Sequence, residues 1–222
     1  MPPTLRALLI ASPYGGLRGP ENDIKSMAGV LTKYGFDVTE CCGAEATRAK
    51  ILDCWRNLID SSSAGDVVVI YYSGHGGIVE SSEDSHSQQG GSVDSPPSQF
   101  LVPMDLDKST DDDFRGIMDI EMSYLLRDTT NKTKNVTVIL DCCHSGRMAR
   151  DPRHINRAWL RNLPPFKHAA LRNHEDRLRH KGHFTGDTSI EGNVHALTSV
   201  AFRCGRNPNS LIAFCELCQE PI

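Results

Sequence analysis

The sequence predicts an α/β fold with a mostly parallel sheet that is covered by helices on both faces. Strand and helix patterns alternate over residues 5–72, as expected when parallel strands are joined by crossover helices. Residues 67–72 and 136–140 are short apolar runs rich in β-branched residues, and a polar cluster follows each of them directly. Open α/β sheets bind their ligands at the carboxyl ends of strands, so these clusters are candidate sites.

The first half of the chain supplies three strands and two helices. Residues 5–11 predict the first strand, and the apolar residues between Pro20 and Gly35 have the spacing of an amphipathic helix. Residues 36–40 predict a second, short strand. Thr47 is a favourable N-cap for a second helix, which we expect to end in the Ser- and Gly-containing residues 61–65. The third strand then covers residues 67–72.

The second half contains two segments that do not read as regular elements. Residues 81–98 are rich in Ser, Gly, Gln and Pro and predict a flexible loop inserted in the domain. A short strand at 100–103, an acidic turn at 105–113, a helix around 120–126 and the strand 136–140 follow. Residues 147–194 carry ten Lys or Arg and five Asp or Glu, and they predict a mobile or partly helical loop. A strand at 196–202 and a short helix at 210–217 complete the chain.

Composition limits the class of protein. The 222 residues predict a single domain, with 39% hydrophobic and 23% charged residues, as in ordinary globular proteins. A net charge of −4 argues against a nucleic-acid partner. No apolar run approaches the roughly 18 residues of a membrane span. Adjacent cysteine pairs are poor disulfide partners, and no secretory signal is visible, so we expect a reducing, cytoplasmic compartment.

The two polar clusters together suggest nucleophilic catalysis. His75 follows the third strand, and Cys142 and Cys143 follow the strand at 136–140. Parallel neighbouring strands would bring the imidazole and the thiols to one edge of the sheet, where a histidine can activate a cysteine nucleophile. Adjacent residues of an extended segment point to opposite faces, so only one thiol can meet His75. A buried thiol and a core histidine are the structural alternatives.

These motifs resemble those of a known family. Residues 72–76, Tyr-Ser-Gly-His-Gly, and residues 141–146, Asp-Cys-Cys-His-Ser-Gly, are similar to the histidine and cysteine motifs of the caspase-like cysteine peptidases (peptidase C14). An acid two residues before Cys-His-Ser-Gly is the metacaspase form of the second motif. Residues 17–23, 102–105, 119–121 and 197–203 also resemble family segments, so the similarity runs from residue 5 to about residue 206.

The resemblance implies a caspase-like α/β/α sandwich with a six-stranded, mostly parallel sheet. Residues 1–222 would then form one caspase-like domain, with a large-subunit part and a partial small-subunit part. The tail after about residue 206 does not resemble the family. We therefore expect the sheet to lack some of its C-terminal part.

The resemblance also implies roles for individual residues. Cys143 would be the nucleophile, with Cys142 as the alternative, and His75 would be its base. The backbone N–H groups of Gly76 and of the cysteine would form the oxyanion hole. Asp141 and Asp23 would line a pocket for Arg or Lys, because two carboxylates favour a cationic guest. The alternative for Asp23 is an acid that interacts with a helix N-terminus.

The predicted function is therefore a cysteine endopeptidase that hydrolyses peptide bonds after Arg or Lys in protein or peptide substrates. Self-processing within residues 147–194 is part of this prediction, since that segment follows the cysteine directly. Two alternatives remain open. One is a caspase-fold signalling or interaction module with little turnover, and the other is a peptidase that prefers aspartate.

No cofactor is required for the predicted chemistry, but calcium is a candidate activator. The resemblance places carboxylates near the relevant elements, namely Asp105, Asp119, Glu121 and Asp151. Residues 111–113 lack the spaced ligands of a dedicated calcium loop, so a solvated acidic turn is the alternative there.

Overall fold

The computed structural model describes residues 2–79, 98–142 and 193–198, together with Leu171, Asn173, His174, Asp176, Arg177 and Leu178. Three α-helices and eight strands lie in these parts of the chain. In chain order they are β1 (Leu5–Ser12), α1 (Pro20–Lys33), β2 (Asp37–Cys42), α2 (Arg48–Ser61), β3 (Val67–Gly74), β4 (Gly76–Val79), β5 (Ser98–Leu101), β6 (Ile117–Met118), α3 (Asp119–Lys132), β7 (Asn135–Asp141) and β8 (Asn193–Thr198).

The central sheet has the strand order β2-β1-β3-β7-β8, and every neighbouring pair in it is parallel. The predicted α/β fold with a mostly parallel sheet is therefore confirmed. Its described strands number five, and the sixth strand that the resemblance implies is not found among the described residues. β3 lies in the middle of this order, which places the end of β3 deep in the molecule.

Alternation along the strands sorts side chains to the two faces of the sheet. Leu9 and Tyr71 pack with Ile24 of α1 on one face. Ile10 and Tyr72 pack on the other face in the cluster that contains Trp55 of α2 and Met122 of α3. Because successive side chains of a strand point to opposite faces, odd-numbered residues of β3 and β7 face α1. This sorting decides which residues can meet at the ends of β3 and β7.

A second, antiparallel sheet of β4, β5 and β6 packs beside the central one. Phe100 of β5 and Met118 of β6 pack with residues of the segment between these strands, and together they form the Phe100 cluster (Phe100, Val102, Leu106, Phe114 and Met118). The rings of Phe100 and Phe114 meet edge to face, with centroids 5.2 Å apart. A Cβ atom at Gly77 would lie 2.2 Å from the Phe100 ring, so the close approach of β4 to this ring requires glycine.

The sequence-predicted elements match the structure with shifts at their ends. The predicted strand at 36–40 is β2 (Asp37–Cys42), and the one at 100–103 is β5 (Ser98–Leu101). Thr47 caps α2 as predicted, since its side chain accepts a hydrogen bond from the Lys50 N–H. The strand predicted at 196–202 begins earlier, as β8 (Asn193–Thr198).

Several predictions lie outside the described residues. These are the flexible loop up to residue 97, most of the basic segment 147–194 and the final helix at 210–217. Among the helices that the structure describes, none has both the length and the apolar character needed to cross a membrane.

Candidate active site

His75 lies in the turn that joins the two sheets, directly after β3 and before β4. Its carbonyl oxygen accepts hydrogen bonds from the Tyr72 hydroxyl at 2.8 Å and from the Val102 N–H at 3.1 Å. A Cβ atom at Gly74 would lie 2.6 Å from the Tyr72 hydroxyl and 3.0 Å from the Ser12 carbonyl oxygen. The backbone at His75 is thus held from both sheets, and only glycine fits at the position before it.

The imidazole of His75 is partly buried, and burial lowers its pKa below the usual value for histidine. Desolvation disfavours the charged imidazolium, so the neutral ring predominates at pH 7. A neutral imidazole can accept a proton from a thiol. The electrostatic state of His75 therefore suits a general base.

Cys142 is buried, with 5% of its surface exposed. Its side chain belongs to the cluster on the α2–α3 face of the sheet, together with Tyr72 and Leu140. A thiol packed in this apolar layer is poorly placed to attack a substrate. Cys143, the predicted nucleophile, lies just beyond the described residues.

The two acids predicted to line the specificity pocket approach the same end of β3. The Ser73 hydroxyl donates a hydrogen bond to Asp23 Oδ2 at 2.8 Å. The Tyr71 hydroxyl lies 3.4 Å from Asp141 Oδ2. Burial, followed by the negative charges of Asp141 and Asp23, raises the pKa of Tyr71 above its usual value. Both carboxylates therefore lie close enough to the Tyr71 hydroxyl to raise its pKa.

Asp23 lies at the start of α1 and also contacts the end of β3. It lies in the first turn of α1, where a carboxylate interacts favourably with the helix N-terminus. Its side chain also reaches across to Ser73 on β3. The helix-terminal role and the pocket role are thus compatible in one conformation.

Tyr71 and Ser73 were not identified as site residues from the sequence. The signal was present in the alternation of β3, because odd-numbered residues from Val69 onward face α1 and its Asp23. What the sequence lacks is the register between β3 and β7, which sets Ser73 opposite Asp141.

Gly76, predicted to supply an oxyanion-hole N–H, is the first residue of β4 and is buried. It pairs with Leu101 of β5 in the antiparallel ladder. The residue after His75 is therefore part of the second sheet, and its backbone position is set by that sheet.

Comparison with family models identifies the chain. The model described as metacaspase, peptidase C14 domain, matches residues 5–152, which is more than half of the sequence. This protein belongs to the metacaspase family. The matched range includes His75, the two acids Asp23 and Asp141, and both Cys142 and Cys143.

Curated relatives carry the same family name. Metacaspase-6 of Arabidopsis thaliana is 31% identical over 156 residues, which cover 64% of this chain and 38% of that protein. Metacaspase-5 of Trypanosoma brucei brucei is 29% identical over 192 residues, which cover 80% of this chain and 33% of that protein. This metacaspase chain thus spans between a third and two fifths of the length of these two relatives.

A solved structure supports the fold. The crystal structure of a Geobacter sulfurreducens protein superposes on this chain with a TM-score of 0.57 at 23% sequence identity. The superposition covers 88% of this chain and 72% of that one. The likeness concerns the fold alone.

Three carboxylates proposed for calcium in this metacaspase have protein partners. Asp105 accepts hydrogen bonds from the Arg48 N–H at 2.8 Å and from Arg115 Nη1 at 3.4 Å. Asp119 accepts one from the Ile120 N–H at 2.8 Å. Glu121 forms an ion pair with Arg48 at 2.5 Å.

Across the part of the chain that the structure covers, no group of three His, Cys, Asp or Glu residues is arranged to hold a metal ion. Asp151, the fourth predicted ligand, lies outside that part. The described contacts of the other three carboxylates are to protein groups, and calcium activation stays a prediction.

Glu121 joins α2, α3 and the second sheet. Its carboxylate accepts hydrogen bonds from both Nη atoms of Arg48 and from the Met118 N–H, and His174 Nε2 lies 3.3 Å away. Burial alone would raise its pKa. The hydrogen bonds from His174 and Arg48, the charge of Arg48 and the Met118 N–H outweigh burial and lower the pKa to about 2.

Replacement of Glu121 by glutamine is expected to lower the free energy of unfolding at pH 7 by about 3 kcal/mol, because it leaves Arg48 buried without a counter-charge. The folded-state pKa of Glu121 is depressed from 4.5 to about 2, so this stabilisation is complete above pH 4.5 and is lost as the pH falls toward 2. Urea unfolding at pH 7, 4 and 3 measures the difference in unfolding free energy between the parent protein and the variant. This difference should become smaller as the pH falls.

The exposed pair of Asp53 and Arg56 provides a matched control, since its side chains are 64% and 60% exposed. Asp53→Asn should change stability by less than about 1 kcal/mol. Equal changes in stability from the two substitutions would show that the buried Arg48–Glu121 pair stabilises the fold no more than an exposed pair does.

Proposed function

We propose that this metacaspase-family chain is a cysteine endopeptidase that cleaves after Arg or Lys, with Cys143 as the nucleophile and His75 as its base. The observation that carries the proposal is the parallel register of β3 and β7, in which Ser73 lies opposite Asp141. His75 and Cys143 each come two residues after this pair. The proposed base and the proposed nucleophile thus follow paired residues of neighbouring strands at equal distances along the sequence, which supports the proposal.

Burial of Cys142 supports the choice between the two thiols. Leu140 and Cys142 belong to the cluster on the α2–α3 face. Ile139 packs in the cluster on the α1 face, where Ser73 and Asp23 also meet. Asp141 meets Tyr71 on the α1 face, so Cys142 is buried on the face opposite the two proposed pocket acids, which favours Cys143 as the nucleophile.

In the proposed reaction, neutral His75 takes the proton from the Cys143 thiol, and the thiolate attacks the carbonyl carbon of the scissile bond. The backbone N–H of Gly76, together with that of Cys143, donates to the oxyanion that develops on the tetrahedral intermediate. The imidazolium then donates its proton to the departing amine. Water hydrolyses the resulting thioester and restores the thiol.

The proposed specificity rests on Asp23 and Asp141. Their carboxylates converge on Tyr71 and Ser73 at the end of β3, beside His75. A substrate guanidinium or ammonium group would neutralise both, and hydrogen bonds to charged partners are stronger than neutral ones. An aspartate side chain would be repelled by the same two acids.

Covalent labelling tests the proposed roles. We expect an Arg-terminated peptide acyloxymethyl ketone to add to Cys143 and an Asp-terminated analogue to react far more slowly. Peptide mapping by mass spectrometry locates the adduct. Labelling of Cys142, or a preference for the Asp probe, would contradict the proposal.

Self-cleavage within residues 147–194 is expected if the pocket accepts Arg and Lys. This segment follows the nucleophile directly, and bonds after Arg150, Arg153, Arg157, Arg161, Lys167, Arg172, Arg177 and Arg179 are candidates. Mass spectrometry of the purified protein should find fragments that end at one or more of these candidate residues. The same fragments in a Cys143→Ala preparation would indicate a contaminating protease instead.

A further inference from the structure

We infer that the helical residues between 171 and 178 anchor the middle of the basic segment to the second sheet and protect the bonds after Arg172 and Arg177 from proteolysis. The proposed self-processing would then be directed to either side of this anchor. The directing role rests on the proposed function, whereas the anchoring itself does not.

Apolar contacts form the first part of the anchor. Leu171 has 2% of its surface exposed and belongs to the Phe100 cluster. Leu178 is partly buried and packs against the same cluster. Residues seven positions apart lie on one face of a helix, so both leucines meet the sheet from one side. A leucine buried to this extent is a core residue rather than part of a surface loop.

Polar contacts form the second part. His174 lies three residues after Leu171, on the same helix face, and its Nε2 is 3.3 Å from Glu121 Oε2. Its ring also approaches that of Phe114, with centroids 6.0 Å apart. Asn173 Nδ2 donates a hydrogen bond to the Asp111 carbonyl oxygen at 3.0 Å. The contacts thus involve α3, the Phe100 cluster and the acidic turn.

Protection follows from what a protease requires. A peptide bond must be extended over several residues to enter an active site, so a bond in a docked helix is cut only after local opening. Arg177 is helical and directly precedes Leu178, and Arg172 lies between Leu171 and Asn173 in the sequence. Opening at either bond would expose Leu171 and separate His174 from Glu121.

Trypsin, which also cuts after Arg and Lys, tests the anchor without the protein's own activity. The substrate is the full chain with Cys143→Ala, and the reference is a synthetic peptide of residues 167–182. We expect cleavage after Arg177 to be at least about tenfold slower in the protein than in the peptide, since cleavage follows the population of the open form. Equal rates in protein and peptide would overturn the inference.

Two variants link the protection to the contacts. Leu171→Asp should accelerate cleavage after Arg177 by about tenfold, because it removes the main buried contact. Asp176→Asn, at an exposed position of the same helix, should leave unchanged the ratio between the rate in the protein and the rate in a peptide with the same substitution. The bond after Arg56 in α2 reports global unfolding and should stay slow in both variants.

If Leu171→Asp also accelerates cleavage after Arg56, that variant is globally unfolded. His174→Ala then tests the anchor. This variant keeps the leucine and should accelerate only the cleavage after Arg177. No acceleration in His174→Ala would then overturn the anchor.

Self-processing is measured separately in the chain that retains Cys143, where fragments ending at residue 172 or 177 should be rare. Protection from trypsin without any self-cleavage would leave the anchor intact and count against the proposed processing.

Discussion

Replacing Cys143 by alanine is expected to abolish hydrolysis of Arg-terminated peptides, with a loss in kcat of about four or more orders of magnitude. The thiol is the proposed nucleophile, and without it only substrate binding and the oxyanion donors remain. Initial rates with a fluorogenic peptide measure the loss. Thermal unfolding of the same preparation shows whether the fold is intact.

Cys142→Ala is the matched control, because it removes the neighbouring thiol. Cys142 lies in the core cluster with Tyr72, so this change should cost about 1 kcal/mol in stability and leave most of the activity. Equal losses of activity from the two substitutions, or turnover retained in Cys143→Ala, would remove Cys143 from the mechanism.

Asp141→Asn is expected to lower kcat/KM for Arg-terminated peptides by about a hundredfold. The substitution keeps the shape of the side chain and removes its charge. Truncation of one partner in a desolvated, hydrogen-bonded charge pair costs a few kcal/mol. The melting temperature should change little, because Asp141 lies at the end of β7 and is partly exposed.

The control for Asp141 is Asp53→Asn, since the Asp53 side chain is 64% exposed on α2 and distant in sequence from the proposed pocket. Its kcat/KM should equal that of the parent protein. A comparable loss in both variants would mean that general charge, and not a pocket carboxylate, governs substrate binding. A fall in melting temperature that matches the fall in activity would assign Asp141 a structural role instead.

Local patterns were sufficient to predict the central sheet. β1 and β3 are runs of mostly buried residues, and β7 contains an apolar run in which alternate residues are buried. The helices α1 and α2 have regular apolar spacing with a proline start or a threonine cap. These features act within a few residues, so they are visible in the sequence alone. The turn at His75 was found in the same way, from the polar cluster after β3.

Other features depend on contacts between distant residues. β4 and β6 are too short, and β4 too rich in glycine, to give a strand pattern, and they form because Phe100 packs between them. Arg48 and Glu121 are 73 residues apart, so their ion pair could not be anticipated. Glu121 was named as a calcium candidate from its place in the family pattern, which does not reveal its ion pair with Arg48.

The helical residues near Leu171 show the same limit. The basic segment suggested a mobile or partly helical loop, and its composition gave no sign of where it would dock. Leu171 is buried only because the Phe100 cluster presents an apolar surface formed by β5, β6 and the turn between them. Such a surface appears only when the second sheet has formed.

Turnover of matched fluorogenic peptides that end in Arg, Lys or Asp tests the central proposal most directly. The peptides should be identical before the last residue, and each is assayed with calcium and with a chelator. We expect hydrolysis of the Arg and Lys peptides, none of the Asp peptide, and no activity in Cys143→Ala. Hydrolysis of the Asp peptide alone would contradict the two-carboxylate pocket, and no hydrolysis of any peptide in either condition would contradict the assignment as a peptidase and favour a signalling module.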